Sequence, residues 1–180
     1  MRELDAFLAT AERNLNDSLR HFEESTSGLA QEFVQIKLQA CIFQYDICYE
    51  MVSLIRNQPS GFAACVATKG LVLRLYEYDD LLNSYIIPHL LTLAKARNVE
   101  VDRAEIRLQR KKWKAEFKQL RSWFDVRNQA AGHYGRDIPT QVALLQTLTV
   151  DLVMNVAKAF LSFNMCLLQI LRSAGLNNAA

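Results

Sequence analysis

Apolar residues recur at steps of three and four along most of this 180-residue chain, with charged and polar residues between them. The first such stripe consists of Leu4, Phe7, Leu8, Ala11, Leu15, Leu19 and Phe22. This period is that of an amphipathic α-helix, because the apolar positions of a half-buried strand alternate instead. Only six glycines and three prolines interrupt the pattern. The chain is therefore predicted to be all-α, with several long helices.

Turn and cap signals divide the chain into five or six helices. Residues 24–28 and 57–61 are rich in Ser, Pro and Gly and end the first two helices. Pro88 is expected to kink or end the third, because proline lacks the amide N–H and clashes with the preceding turn. Asp102 and Asp137 stand where N-caps of the fourth and fifth helices are expected.

Size and hydrophobic content favour one domain over residues 1–180. Hydrophobic residues make up 51% of the chain, which suffices for one sizeable core. The fifth helix is expected to continue to about Ser173, and short connections imply mostly antiparallel neighbours. The predicted fold is an antiparallel helical bundle of five or six helices.

The cysteines and the apolar C-terminal region argue against a metal site, a disulfide framework or a membrane span. None of the four cysteines forms a C-x-x-C pair, so neither a metal nor another cofactor is expected. In the most apolar region, the longest uncharged run is Ala159 to Leu171, which is too short to cross a bilayer. The expected setting is cytoplasmic, without membrane contact.

Positive charge is concentrated between Lys95 and Arg136. This segment holds twelve Lys/Arg and five Asp/Glu, a net charge of +7, whereas the whole chain carries only +2. The asymmetry indicates an anionic partner such as RNA, although a solvated helix face has the same composition. The candidate RNA-binding residues are Arg110, Lys111, Lys114, Lys118 and Arg121.

The basic segment leads into the sequence "RNQAAGHYG", residues 127–135. The fourth helix has an apolar stripe of Ile106, Trp113, Phe117, Leu120 and Phe124, and its next two positions are Arg127 and Asn128.

A guanidinium on that packed face needs partners. Arg127 could pair with Glu77, Asp79 or Asp80 in a structural role, or hold a phosphate, for which its planar fork is suited. His133 can exchange a proton near neutral pH, and Gly132 permits the bend that would bring it toward Arg127. Tyr134 adds a phenolic donor or an aromatic face.

This motif resembles the R-x(4–6)-H signature of HEPN domains, in which a polar residue, often Asn, follows the arginine. The resemblance implies a helical bundle that acts as a homodimer and a metal-independent endoribonuclease, as in toxins and in stress or phage-defence effectors. It implies that Arg127 stabilises the phosphate, Asn128 orients it and His133 is the acid/base. Tyr134 is a looser match, because it follows the histidine directly. An antitoxin partner belongs to the same expectation.

Two other functions are compatible with the same sequence. Some HEPN proteins are non-catalytic and serve as dimerisation or partner- and nucleotide-binding modules. A helical bundle that binds RNA or acidic partners only through the face from Lys111 to Arg121 is the third reading.

Overall fold

A computed structural model describes residues 2–26, 28–99, 101–131 and 137–176, and every regular element in these ranges is helical. The α-helices are α1 (Arg2–Glu24), α2 (Gly28–Asn57), α3 (Gly61–Leu81), α4 (Ile87–Ala96), α5 (Arg103–Lys111), α6 (Lys114–Ser122), α7 (Ile138–Leu145) and α8 (Val150–Leu176). Two π-helical segments are π1 (Leu82–Ile86) and π2 (Val126–Ala131). The all-α prediction is confirmed, whereas the count of five or six helices is not.

The larger number of helices arises where the predicted fourth and fifth helices are divided. The fourth is interrupted at Lys112 and Trp113, which separate α5 from α6. The fifth is interrupted between α7 and α8, where Thr147 Oγ1 donates to the Leu144 carbonyl at 2.7 Å. Thr149 Oγ1 then accepts from the Leu152 amide at 3.3 Å and caps α8. Threonine hydroxyls thus compete with the helical backbone at this point.

Pro88 changes the helix type rather than ending the helix. The chain passes from α3 through π1 into α4, and Pro88 lies in the first turn of α4. The Ile87 amide donates to the Leu82 carbonyl, five residues back, which is the π-helical pattern. Proline donates no backbone hydrogen bond, so the helix next to it can adopt a wider turn.

The two predicted N-caps are confirmed. Asp102 Oδ1 accepts from the Ala104 amide at 2.6 Å at the start of α5. Asp137 Oδ1 accepts from the Thr140 amide at 3.1 Å at the start of α7. Hydrogen bonds from Thr140, first from its side chain and then from its backbone amide, lower the pKa of Asp137, because they favour the ionised carboxylate.

Side-chain contacts define the directions of the long helices. The pairs Asp5–Arg56 and Ser18–Cys41 make α1 and α2 an antiparallel hairpin. Helices α3 and α8 run parallel, since Cys65 contacts the Leu148 carbonyl and Tyr78, further along α3, contacts Asn164 of α8.

The centre of the core is aromatic. The rings of Phe43 and Tyr78 stack with centroids 3.6 Å apart, and Phe117 of α6 packs on Phe160 of α8 at 4.2 Å. The Tyr78 hydroxyl donates to Asn164 Oδ1. The α5–α6 segment is therefore fixed to the core through Phe117.

Helix α8 is apolar enough to cross a membrane by length and composition, over Val150–Ala174 with a mean hydropathy of 1.4. It is the one such helix in the described ranges. Half of the most apolar 18-residue part of this stretch is buried inside the fold, and Phe160 and Phe163 are completely covered by neighbouring helices. Core helices of soluble proteins meet the same criteria, so the absence of membrane contact stays a prediction.

Candidate functional site

Basic residues from α5 and α6 line a single open groove of about 520 Å³. Its lining consists of Arg107, Arg110, Lys111, Lys114, Phe117, Lys118 and Arg121. We call it the basic groove. All five residues predicted to bind RNA line it, and Arg107 joins them. The described carboxylates contribute nothing to its wall.

Helical spacing explains why these residues share one surface. On α5, Arg107 lies three and four residues before Arg110 and Lys111. On α6, Lys114, Lys118 and Arg121 recur at the same steps, and residues at these separations are neighbours on a helix surface. Phe117 lies within the same stripe but is buried, with 5% of its surface exposed. It packs on Phe160, so the groove is built on a side chain that belongs to the core.

Arg110 is held in place by neighbours from α3 and π1. Its guanidinium forms an ion pair with the buried carboxylate of Asp79 and donates to Asn83 Oδ1. It also lies 4.5 Å from the centroid of the Phe117 ring, within the range of a cation–π contact. Burial lowers the pKa of Arg110, and Asp79 opposes this shift. Arg110 therefore has a fixed orientation at the groove wall.

The other five cations of the groove are exposed. None of Arg107, Lys111, Lys114, Lys118 or Arg121 takes part in an ion pair with the residues that the structure describes. Like charges on adjacent helical turns repel one another. Their positive potential is therefore available to an anionic ligand.

Arg127 and Asn128 belong to π2, which packs against α3 and α7. Both are half-buried, and Arg127 Nη1 donates to Asn128 Oδ1 at 2.8 Å. Arg127 forms no ion pair with Glu77, Asp79 or Asp80, and Asp79 pairs with Arg110 instead.

The predicted apolar stripe of the fourth helix is wrong at its last member. Phe124 is 59% exposed, and Trp123 is the buried residue. The break between α5 and α6 and the end of α6 at Ser122 change the angular phase of the chain before Phe124, and the wider turns of π2 change it again after Phe124. Arg127 is consequently at the edge of the packed surface.

His133 and Tyr134 lie outside the described residues, as do the other positions from 132 to 136. The structure therefore brings Arg127 and Asn128 together, and the joint site with His133 and Tyr134 stays a prediction.

Tyr76 is affected by charges from both the groove and the motif. Its hydroxyl donates to the Arg121 carbonyl at 2.9 Å. Burial is the main cause that raises the pKa of Tyr76, and the charges of Asp79 and Asp80 add to it. The positive charges of Arg121 and Arg127 both act in the opposite direction. One arginine of the groove and the arginine of the motif therefore both act on the pKa of Tyr76.

Sequence reasoning missed Tyr76, Asp79 and Asn83 as the residues that position the site. The four-residue spacing of Asp79 and Asn83 places them on one helical face and was the available signal. Across the described ranges, no group of three or more His, Cys, Asp or Glu side chains could hold a metal ion.

Comparison with protein-family models, with curated proteins and with solved structures finds no match for the chain in any of the three. The HEPN assignment thus rests on the residues of the motif.

Proposed function

We propose that this protein binds RNA along the basic groove and cleaves it by metal-independent chemistry of the HEPN type. The proposal rests on the groove, where five exposed cations that form no ion pair with the described residues surround the oriented Arg110. An RNA backbone carries one negative charge per nucleotide, and neutralising several phosphates releases condensed counterions. A row of lysines and arginines at helical spacing matches such a ligand.

The cleavage step assigns complementary roles to the motif. His133 takes the proton of a ribose 2′-hydroxyl, and the resulting oxygen attacks the adjacent phosphorus. Arg127 stabilises the charge that develops on the phosphate oxygens. The bond to the 5′-oxygen then breaks, which leaves a 2′,3′-cyclic phosphate and, after protonation, a 5′-hydroxyl. Asn128 holds Arg127 in place through their hydrogen bond. Tyr134 is a candidate second hydrogen-bond donor to the phosphate.

Cleavage of a labelled RNA in EDTA tests this assignment. Arg127→Ala and His133→Ala are each expected to reduce the cleavage rate about 100-fold or more, because each removes a charge-stabilising or proton-transfer group. Arg13→Ala is the charge-matched control, since Arg13 is an exposed residue of α1 outside the groove. Cleavage that continues unchanged in both motif variants would sink the assignment.

A non-catalytic helical module is the second candidate, and the packing of Arg127 favours it. The guanidinium is half-buried on π2 and bonds to its neighbour Asn128. In that case Arg127→Ala would lower the thermal midpoint of unfolding, and wild-type protein would bind RNA without cleaving it. Thermal melts of the two motif variants separate the candidates, since a catalytic His133 is dispensable for folding.

The homodimer and the antitoxin belong to the same proposal. HEPN-type cleavage requires two motifs to face each other, so mixing Arg127→Ala with His133→Ala chains tests whether residues from two copies form one site. Partial recovery of cleavage in the mixture is expected only for a shared site.

A further inference from the structure

A second cavity shares Arg107 and Arg110 with the basic groove. It encloses about 420 Å³ between α4 and α5, and we call it the α4–α5 pocket. Its apolar wall comes from Ile87, Pro88 and Leu91 of α4, together with Ile106 of α5. Ile106 is almost completely buried, which makes this wall part of the folded core.

The π1 segment shapes the wall of the pocket. Asn83 of π1 lines it, and the chain then enters α4 at Ile87 and Pro88. Asn83 directs both ends of its amide to the protein, since Nδ2 donates to the Asp79 carbonyl and Oδ1 accepts from Arg110. Single π-helical turns inside longer helices occur frequently at functional sites.

Arginines form the polar side of the pocket. Arg103 lines only the pocket, whereas Arg107 and Arg110 line both the pocket and the basic groove. Arg103 and Arg107 are exposed and take part in no ion pair with the described residues. A ligand that follows the groove therefore meets an apolar cavity at its edge without leaving the positive surface.

We infer that the α4–α5 pocket receives one unstacked base of a single-stranded RNA whose backbone lies in the basic groove. This inference rests on the proposed RNA binding. An apolar wall covers a base face, and arginine planes stack on bases in single-strand recognition. The pocket volume falls in the range of about 300 to 1,000 Å³ that is usual for ligand sites.

The chemistry of the rim favours bases rich in hydrogen-bond acceptors. Arginine offers five N–H donors and no acceptor, and the Asn83 amide already makes one hydrogen bond at each end within the protein. Uracil, with two carbonyl oxygens, and guanine, with O6 and N7, satisfy these donors. Adenine presents an amino donor beside its N7 acceptor and fits less well.

Methyl NMR of the full chain, with labelled Ile and Leu side chains, tests the pocket directly. Uridine 5′-monophosphate is expected to shift the methyl resonances of Ile87, Leu91 and Ile106. Ribose 5-phosphate, which lacks the base, is expected to leave them in place. Equal shifts with both compounds would show that the pocket binds the phosphate and not the base, which would overturn the inference. Absence of shifts with millimolar nucleotide would overturn it as well.

Matched variants separate the pocket from the groove in RNA binding. Arg103→Ala is expected to weaken oligouridine binding about three- to tenfold and leave an abasic oligoribose phosphate unaffected, because Arg103 lines only the pocket. Lys118→Ala, which lines only the groove, should weaken both oligomers equally. Equal losses for both oligomers in Arg103→Ala would contradict the base pocket while leaving groove binding intact. If neither oligomer binds wild-type protein, the proposed function fails, and the nucleotide titration still decides the pocket.

Discussion

The polar groups at the centre of the bundle and those of the basic groove differ in whether they have partners within the protein. In the interior, Tyr78 donates to Asn164, and Asn164 Nδ2 donates to the Ala40 carbonyl at 3.0 Å. Asn164 is completely buried, and both ends of its amide have a partner. In the groove, five exposed cations have no ion-pair partner among the described residues.

The polar residues of the interior therefore stabilise the fold, whereas those of the groove are available to a ligand. A buried polar group without a partner is costly, so the interior network has to be complete. A cluster of like charges destabilises the folded chain slightly through repulsion, and an anionic ligand removes that repulsion. Substitutions in the interior should therefore change stability, and substitutions in the groove should change binding.

Arg110 belongs to both regions. Its ion pair with Asp79 and its contact with Phe117 connect it to the core, and it lines the groove. Three classes of variant are therefore expected to differ: variants in the interior, variants in the groove, and variants at Arg110, which belongs to both.

The largest effect on stability is expected for Asn164→Ala. This change leaves the Tyr78 hydroxyl without its partner in the interior and removes the side-chain hydrogen bond to the Ala40 carbonyl, at a cost of about 3 kcal/mol in the free energy of unfolding. Urea denaturation measures it, with Asn155→Ala, an exposed position on the same helix, as the control. A loss no greater than that of the control would show that the network contributes little.

Arg110→Ala should lower both the free energy of unfolding and the affinity for RNA. It removes the partner of the buried Asp79 carboxylate, with an expected loss of about 2 kcal/mol in the free energy of unfolding, and it weakens RNA binding. Arg107→Ala, one turn earlier on α5 and exposed, should weaken RNA binding with a stability change within about 0.5 kcal/mol. Equal stability losses in the two variants would remove the distinction between the shared arginine and the groove.

Alkaline pH provides a smaller, graded perturbation of the interior. Burial raises the pKa of Tyr78 well above its usual value, and the charge of Cys41 adds to the shift. Between the ordinary tyrosine pKa of about 10 and the raised folded value, the unfolded state releases a proton that the folded state retains. The stability from Tyr78 is thus complete below about pH 10 and is lost as the pH rises, by about 1.4 kcal/mol per pH unit.

Denaturation at several alkaline pH values of wild type and Tyr78→Phe measures this contribution. The variant should show a shallower decline, and a residual slope is expected because burial also raises the pKa of Cys48 to about 11. Tyr49→Phe, at an exposed position of α2, is the control. Identical slopes in wild type and Tyr78→Phe would contradict the assigned role of the buried phenol.

Local signals in the sequence predicted the helical class, the caps and the groove. Asp102 and Asp137 were predictable because an N-cap depends on a few adjacent residues. Lys114 and Lys118 could be placed on one face because helical spacing alone determines their proximity. The same reasoning cannot anticipate the division of long helices, where Thr149 caps a new helix within an apolar pattern.

Long-range partners could not be derived from periodicity. Arg74 has helical-pair spacing to Glu77, yet it pairs with Glu50 and Asp46 of α2. Asp79 pairs with Arg110 across 31 residues, a choice that depends on how α3 and α5 pack. The phase of Phe124 was wrong for a related reason, because α6 ends at Ser122 and each break in a helix rotates the positions that follow it.

The salt dependence of RNA binding measures whether the basic groove binds the RNA backbone. Fluorescence anisotropy with a single-stranded RNA would compare wild type, Lys114→Ala/Lys118→Ala, and the control Arg13→Ala/Arg20→Ala on α1. The slope of log K against log salt is about −0.7 per phosphate contact for single strands, so losing two contacts should reduce its magnitude by about 1.4. The groove variant is predicted to show this reduction and the α1 control the wild-type slope. The same slope in all three proteins would contradict the account.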